Sequence, residues 1–580
     1  MNPLSRRLVS PCLLSAWLCI PGLSAQPPLA TWQAVGPGFT SAANKPFVNE
    51  AGQMAYGNST NGFSLGAVGA PAQRNLQPFL ASAGLGLDVV YCVTGDNQRV
   101  GYLVAHGLVD DAPGATKVLA AENGQVPGLP DGVKFSPATF LDSTGAYRYF
   151  AMTPSGIYVL PTVLKGTGIV VSGGNTINDQ AVLRGPADDF KPIVRAGSAV
   201  PGLPAGYVFA GQATRRFDAV VNRQGVAAIR ARAVQWNPPS PFPLQNAEGI
   251  WTHDPAAGLV LAVTAVSLGS NPLGDVAPGT DGARFTDITL GPSINDDGAI
   301  AFAANTFNFS ASPPYRSGIW SGPVHDLRPV HLFGAPVPGL PGVTFDVAFN
   351  NAGIKLGTGR TVCFTSVLAG SGVTAANNVG VFVGTSTNDV RLLARLGGPA
   401  PGQPAGVTFA SFPGDAVVIF GVNRVAIRAF IAGTGVSPGV NDRGLWATDD
   451  FGNLQLVARI GDQIATDIGV KPMGGDFILQ HGTGQDGLAS SGNRAGQLGV
   501  YNNGFANGSY AYLLRVGTAT PSSPKLGFAF AGGVLTLDWP AGYRLQSNAV
   551  ASAAGWVDVP VNPPFAANPA GLPGFFRLAK

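Results

Sequence analysis

Five histidines, His106, His253, His325, His331 and His481, are the side chains of this 580-residue chain best placed by type to bind a metal or move a proton near neutral pH. No two of them have the spacing of a helical zinc motif, and neither Cys92 nor Cys363 has a neighbouring cysteine, so no metal centre and no cofactor is expected. His253-Asp254 and the pair His325 and His331 stand at matching places after a repeated Gly-Ile-Trp string. These three histidines are the candidates for a ligand face, as metal-binding or acid–base groups. The competing reading makes His325 and His331 two exposed loop residues. Asn295-Asp296-Asp297-Gly298 and Asn441-Asp442-Arg443-Gly444 lack the alternating acids that supply a calcium ion with six or more oxygens, so they read as plain turns. There is no Gly-x-Ser-x-Gly elbow, phosphate loop or dinucleotide fingerprint in a strand-to-helix setting, and no catalytic residue is singled out.

Repeated strings frame these residues. Pro-Gly, a short gap and an aromatic recur from Pro127 to Phe135, Pro201 to Phe209, Pro278 to Phe285, Pro338 to Phe345 and Pro401 to Phe409. Pro-Gly is a turn dipeptide, so each copy reads as a tight turn feeding a strand. An Asn-x-x-Gly turn leading into a small-then-bulky strand starts at Asn49, Asn222, Asn295 and Asn493. Asn423 starts a copy with Ala426 in place of Gly, Asp142 starts a degraded one, and near Phe364 only the strand half survives. Gly249-Ile250-Trp251, Gly318-Ile319-Trp320, Gly380-Val381-Phe382 and Gly444-Leu445-Trp446 form a third string, and aliphatic runs ending in Gly form a fourth. The order is the same each time: about four short strands per unit, with Gly/Pro turns between them and no amphipathic helix.

With the spelling Asn-x-x-Gly-x-x-Ala-Phe, then Gly-Ile-Trp, then Pro-Gly and an aromatic, the chain resembles the NxxGxxAF tandem-repeat proteins secreted by bacteria over roughly residues 30–517. The resemblance implies export and a repeated β architecture, and brings no established activity and no catalytic residues. Asn-turn strands starting near residues 49, 142, 222, 295, 357, 423 and 493 give seven units of four strands, the content of a propeller blade. The expected fold is all-β: a seven-bladed β-propeller over 30–517, with six blades as the runner-up because the turn of the fifth unit is lost. Ala30–Phe39 precedes the first Asn turn and is expected to complete the short last blade, closing the ring and removing two open sheet edges. Trp251, Trp320, Phe382 and Trp446 are expected in equivalent blade-to-blade cores, with glycine beside them so that a neighbouring strand can approach. The competing reading makes them a platform for stacking sugars.

The ends read differently. Arg6 and Arg7, the apolar stretch Leu8 to Ile20 and a small-residue region to Ala25 form a secretory signal over residues 1–25. Residues 518–524 are a Ser/Thr/Pro linker. Five strand-like runs over 525–580 predict a small β-sandwich-like module, similar to C-terminal modules on large secreted proteins of bacteria such as Verrucomicrobia. No segment after the signal offers 18 uninterrupted apolar residues, so no transmembrane segment is expected there. Lys and Arg total 35 against 32 Asp and Glu, a net charge of +3, which excludes a nucleic-acid binder working through a strong basic field. Cys92 and Cys363, each in a strand-like run, read as small buried hydrophobes. The expected function is that of an exported, periplasmic or surface, non-catalytic binding or scaffold protein for a glycan or protein ligand. The alternative is a propeller enzyme acting on polysaccharide, a glycoside hydrolase or lyase, which would need converging acids at the central channel. The repeats offer no matching acid at equivalent positions.

Overall fold

The computed structural model describes residues 30–579 apart from scattered stretches, the longest being 141–149, 236–244, 480–490 and 517–526. The expected signal over 1–25 and the degraded turn at Asp142 lie outside the described residues. One compact unit spans Leu29–Thr518, and Ala519–Lys580 belongs to a second. The chain is all-β apart from one α-helix, Gln77–Ser82, and one 3-10 turn, Pro137–Thr139, among the described residues. No helix there is long and apolar enough to cross a membrane.

The first unit contains eight sheets, antiparallel apart from one parallel pair in the last, each built on four strand positions and resembling propeller blades. Sheet 1 is Phe47–Val48, Met54–Asn58, Gly62–Ala67 and Ala70–Arg74. Sheet 2 is Val89–Thr94, Val100–Val104, Gly107–Ala112 and Ala115–Ala121. Sheets 3 to 7 occupy 133–195, 207–265, 284–332, 343–395 and 408–459. Sheet 8 is Phe477–Ile478, Gln497–Asn502, Ser509–Val516 and the N-terminal strand Ala30–Gly38.

Eight sheets replace the expected seven. The additional one, sheet 2, lies in what reads from sequence as an overlong first unit. It carries no Asn turn and no Gly-aliphatic-aromatic string, so a search by motif passes over it. Gly95 holds the place of the turn asparagine: its N–H donates to the Arg99 carbonyl at 2.8 Å, as the Asn49 N–H donates to Gln53 at 2.9 Å. In sheet 3 a turn at Thr153 to Gly156 holds this place. The Thr153 hydroxyl accepts from the Ile157 N–H at 2.9 Å, and Gly156 has φ 86°. Strand composition is unaffected by the loss of the motif, because alternating burial and not the turn residue builds the sheet.

The Pro-Gly aromatic strand and the Asn-turn strand are two parts of one first strand. In sheet 4, Tyr207–Gln212 and Asp218–Val221 both pair with Ala227–Gln235, and sheets 3, 6 and 7 repeat this arrangement. First strands pack against those of the next sheet from sheet 1 through sheet 7, and strands of sheet 8 contact sheets 7 and 1. The N-terminal strand pairs antiparallel with Ser509–Val516, Trp32 opposite Leu514. It completes the last sheet as expected, and on its other edge it pairs in parallel with Gln463–Thr466, Trp32 opposite Thr466, with Gly469–Pro472 beyond. Sheet 8 has its own short first strand, Phe477–Ile478. Val35, Val48, Met54, Tyr501 and Leu513 form one core across this junction.

Aromatic side chains fill the spaces between sheets. Trp251, Trp320, Phe382 and Trp446 are all fully buried. Trp320 of sheet 5 packs with Ile250 and Val263 of sheet 4, and Trp446 of sheet 7 with Val381 and Ala394 of sheet 6. Each ring meets the aromatic of its own first strand edge-on: Phe209–Trp251 at 5.0 Å, Phe285–Trp320 at 4.8 Å, Phe345–Phe382 at 5.0 Å and Phe409–Trp446 at 5.0 Å between centroids. The indole N–H groups donate to Pro201, Pro278 and Pro401 carbonyls at 3.0, 3.0 and 2.9 Å, tying the third strand to the Pro-Gly turn. As expected, the glycine lets the neighbouring fourth strand approach: a Cβ at Gly249, Gly318 or Gly444 would lie 2.9, 2.7 or 3.2 Å from the Val263, His331 or Ala458 carbonyl oxygen. The same Cβ would lie 2.6 Å from the Cη2 of the tryptophan two residues on, so the indole folds over its own strand.

The second unit holds two three-stranded sheets. Gly527–Ala531, Val534–Asp538 and Phe565–Ala567 form one, and Arg544–Asn548, Val557–Val559 and Phe575–Ala579 the other. Leu537 and Leu545 centre a small core with Leu535, Val559, Phe565 and Phe576.

Candidate ligand-binding face

Antiparallel strands put the turn after the first strand and the turn after the third strand of every sheet on one face. The Asn-x-x-Gly turns line that face around the centre. Each asparagine works twice. Its Oδ1 accepts the N–H four residues on, as in Val226 to Asn222 at 2.9 Å, Ala299 to Asn295 at 3.0 Å and Gln497 to Asn493 at 2.9 Å. Its Nδ2 donates to the backbone of the next sheet: Asn49 to Gly95 at 2.8 Å, Asn222 to Asn295 at 3.1 Å, Asn295 to Gly357 at 2.7 Å and Asn493 to Asn49 at 2.8 Å. The last of these joins sheet 8 to sheet 1. The motif asparagine is therefore a sheet-to-sheet lock as well as a turn residue. Asn423 is an exception in geometry: Phe420 pairs with Arg424 across a shorter loop, and Asn423 has φ 59°. Its Oδ1 accepts from the Thr358 N–H of sheet 6 at 2.8 Å.

The residue after the asparagine carries charge in five sheets, and those of sheets 1, 4, 5 and 8 meet. Glu50 of sheet 1 lies 2.5 Å from an Arg223 guanidinium nitrogen of sheet 4. Asp296 of sheet 5 lies 3.3 Å from Arg494 of sheet 8 and 3.7 Å from Arg223. The backbone N–H of Arg223 donates to Asp296 at 2.9 Å, and that of Arg494 donates to Glu50 at 3.1 Å. Sheet 1 is four places from sheet 5, and sheet 4 four places from sheet 8. The absence of matching acids expected from the repeats is thus corrected: Glu50 and Asp296 are equivalent and converge. Both carboxylates are engaged by guanidinium groups.

A cavity of about 600 Å³ opens beside the quartet, lined from sheets 6, 7 and 8. Arg391, Arg424 and Arg494 face it together with Asp449 and Asp450. Asp449 shapes its turn: Oδ1 accepts from the Phe451 and Asn453 N–H groups at 2.9 and 2.8 Å. Asp450 is ion-paired with Arg424, whose guanidinium also donates to the Val516 carbonyl at 2.5 Å. Burial pulls Arg424 below the ordinary arginine value, and Asp449 opposes that shift. Arg391 donates to the Gly452 carbonyl at 2.7 Å. Phe451 and Val422 also line the cavity, with 59% and 78% of their surface exposed.

The three candidate histidines do not come together. His253 is half-buried at the end of Gln245–Asp254, and burial, then Arg184, lowers its pKa. His325 is exposed in the turn after Tyr315–Pro323, with φ 72°. His331 is neither an exposed loop residue nor on the ligand face. It is fully buried in Arg328–Leu332, against Phe345 at 4.5 Å and Phe364 at 5.5 Å, with Nε2 3.0 Å from the Ser366 hydroxyl. It occupies an inward position of the aliphatic fourth strand, and burial pushes its pKa down to about 3. Cys363 is buried and free, its thiol pushed up to about 12 by burial. Among the described residues no three His, Cys, Asp or Glu side chains are grouped to hold a metal ion. What sequence reasoning missed was the charge following each Asn and the arginines of the cavity. The alternation Asn-Glu, Asn-Arg, Asn-Asp, Asn-Arg at residues 49, 222, 295 and 493 was the available signal.

A family described as one of unknown function, DUF7453, matches residues 265–512, the segment that holds sheets 5 to 7 and most of sheet 8. No curated protein matches the chain. Similar solved structures include the WD40 domain of SCAP from fission yeast, at 9% identity and TM-score 0.31, covering 85% of this chain and 98% of that one. A Penicillium chrysogenum alpha-L-arabinanase complexed with arabinobiose follows at 9% and 0.25, covering 63% and 92%. A gluconolactonase from Xanthomonas campestris stands at 14% and 0.23, covering 73% and 98%. The architecture described above rests on this chain's own strand order.

Proposed function

We propose that this chain is an exported, non-catalytic binding or surface-scaffold protein, a closed eight-bladed β-propeller followed by a β-sandwich-like module. Sheet contacts that return from the last sheet to the first, and an N-terminal strand completing the last sheet, support the closed ring. The signal-like residues 1–25 support export. One observation carries the functional reading: the charged residues at the centre of the turn face neutralise one another, while a cavity of about 600 Å³ beside them remains open for a ligand. A glycan is the ligand class favoured, because guanidinium groups and an exposed phenyl ring supply the hydrogen bonds and the stacking surface that sugars use.

The test is a glycan-array screen of the mature protein beside a panel of hydrolase and lyase substrates. Binding without turnover is the expected result. Turnover that disappears in Asp450→Asn would instead establish the polysaccharide-enzyme reading, which rests on Asp449 and Asp450 lining one cavity. Fractionation of a tagged protein checks export. A full-length cytoplasmic product retaining residues 1–25 would count against it.

A further inference from the structure

We propose that the cavity at sheets 6 to 8 recognises an acidic saccharide, through a carboxylate or sulfate group carried on a sugar ring. This rests on the binding reading above and names its ligand class. Three arginines face the cavity; Arg494 is engaged by Asp296 and Arg424 by Asp450, leaving Arg391, which bonds a backbone carbonyl, to meet an anionic group, in a chain whose composition points to a neutral partner. The arginines come from three successive sheets: Arg391 opens the fourth strand of sheet 6, Arg424 follows the first turn of sheet 7, and Arg494 lies in the first turn of sheet 8. Convergence of this kind is a property of the assembled fold.

The two acids do not offset the arginines toward a ligand. Asp449 accepts two backbone N–H groups on one oxygen and faces the Asn453 amide at 3.4 Å with the other. Asp450 is held by Arg424. Arg391 is exposed and donates one hydrogen bond, to Gly452. A guanidinium has five N–H donors in a planar fork suited to a two-oxygen group, so Arg391 retains donors for an oxyanion. Gly421, Gly452 and Gly496 keep the lining low, letting a sugar approach the backbone. Phe451 distinguishes a sugar from a bare anion. An exposed aromatic face gains nothing from inorganic sulfate or phosphate, whereas the apolar face of a pyranose packs on it.

The experiment is calorimetric titration of the mature full chain with four probes: an oligogalacturonate, its methyl ester, a sulfated carrageenan oligosaccharide and inorganic sulfate. At least one acidic oligosaccharide should bind, at least tenfold more tightly than the ester and than free sulfate, and more weakly as salt rises from 50 to 300 mM, on the order expected for charge-assisted contacts. Arg391→Gln should weaken that binding roughly tenfold or more with an unchanged melting temperature, since this side chain is exposed. Phe451→Ala should weaken it while leaving sulfate binding unchanged. Equal affinity for the ester overturns the acidic class but leaves a neutral-glycan binder standing. Sulfate binding as tightly as the oligosaccharides, indifferent to Phe451→Ala, overturns the saccharide. Full affinity in Arg391→Gln overturns the site. Binding of none of the probes overturns this proposal, and silence on the whole glycan array would in addition remove the glycan-binding function.

Discussion

Trp320 shows how much a single side chain contributes. It is fully buried, donates to Pro278, and meets Phe285 edge-on. Trp320→Ala should cost about 3–5 kcal/mol, the usual loss for truncating a buried tryptophan. Trp320→Phe should cost less, because sheet 6 already uses Phe382 at this place without an indole donor. Urea melts of both variants check the order, and an unchanged melting temperature in Trp320→Ala would make the ring a surface group. His331 makes stability depend on pH. Its folded pKa, about 3, lies below the ordinary histidine value of about 6.5, so the unfolded chain binds the proton first. The stability contributed by the neutral imidazole is therefore complete above about pH 6.5 and is lost as pH falls toward 3. His331→Leu should flatten the stability profile in that window relative to the parent. A parallel profile would place the histidine in contact with water.

At the scale of the element, the Asn-x-x-Gly turn joins local and long-range order. Asn295 accepts from Ala299 and donates to the Gly357 and Gly359 carbonyls of the next sheet. Asn295→Ala removes all three bonds and leaves the buried Ala299 N–H and Gly357 carbonyl without this partner. It should cost about 2–4 kcal/mol, with each such group contributing on the order of 1 kcal/mol or more. Gly298→Ala separates conformation from space. Gly298 has φ 74° and nothing near its missing Cβ, so the expected cost of about 1–2 kcal/mol is purely that of left-handed backbone. Equal losses for the two variants would mean that the asparagine bonds add nothing across sheets. Sheets 2 and 3 lack the asparagine and are joined differently. The Tyr158 hydroxyl of sheet 3 donates to Asp110 of sheet 2 at 2.6 Å, and Arg99 of sheet 2 holds the same carboxylate at 2.7 Å.

At the scale of the whole first unit, the closed ring proposed above depends on its two ends. Removing residues 30–38 deletes the strand between Ser509–Val516 and Gln463–Thr466 in sheet 8 and the Trp32–Tyr512 contact at 5.4 Å. It leaves the edge of Ser509–Val516 unpaired, and an open edge invites association. The truncated chain should melt at lower temperature and self-associate, which light scattering detects. A monomeric truncation with the parental melting temperature would show that closure does not depend on this strand. The quartet of Glu50, Arg223, Asp296 and Arg494 should matter less. Its arginines are about a third exposed, so a double-mutant cycle on Glu50 and Arg223 should give a coupling of no more than about 1 kcal/mol that shrinks with salt.

The sequence by itself determined the strand content, the buried Trp251, Trp320 and Trp446, the Asn turns at residues 49, 222, 295 and 493, and the N-terminal strand that completes the last sheet. These are legible because each follows from a local rule: a turn that needs positive φ, an aromatic in a strand, a missing sheet partner. Only the tertiary structure decided the count of sheets, the burial of His331, the meeting of Glu50 and Asp296 with Arg223 and Arg494, and the cavity under Arg391. Sheet 2 has the alternation of a sheet without the spelling of the repeat, and burial of a histidine depends on the neighbouring sheet, whose Phe345 and Phe364 enclose it. The quartet and the cavity join residues more than 60 positions apart in the chain. Their proximity is set by sheets packing in order until the last meets the first, a condition that no single repeat contains.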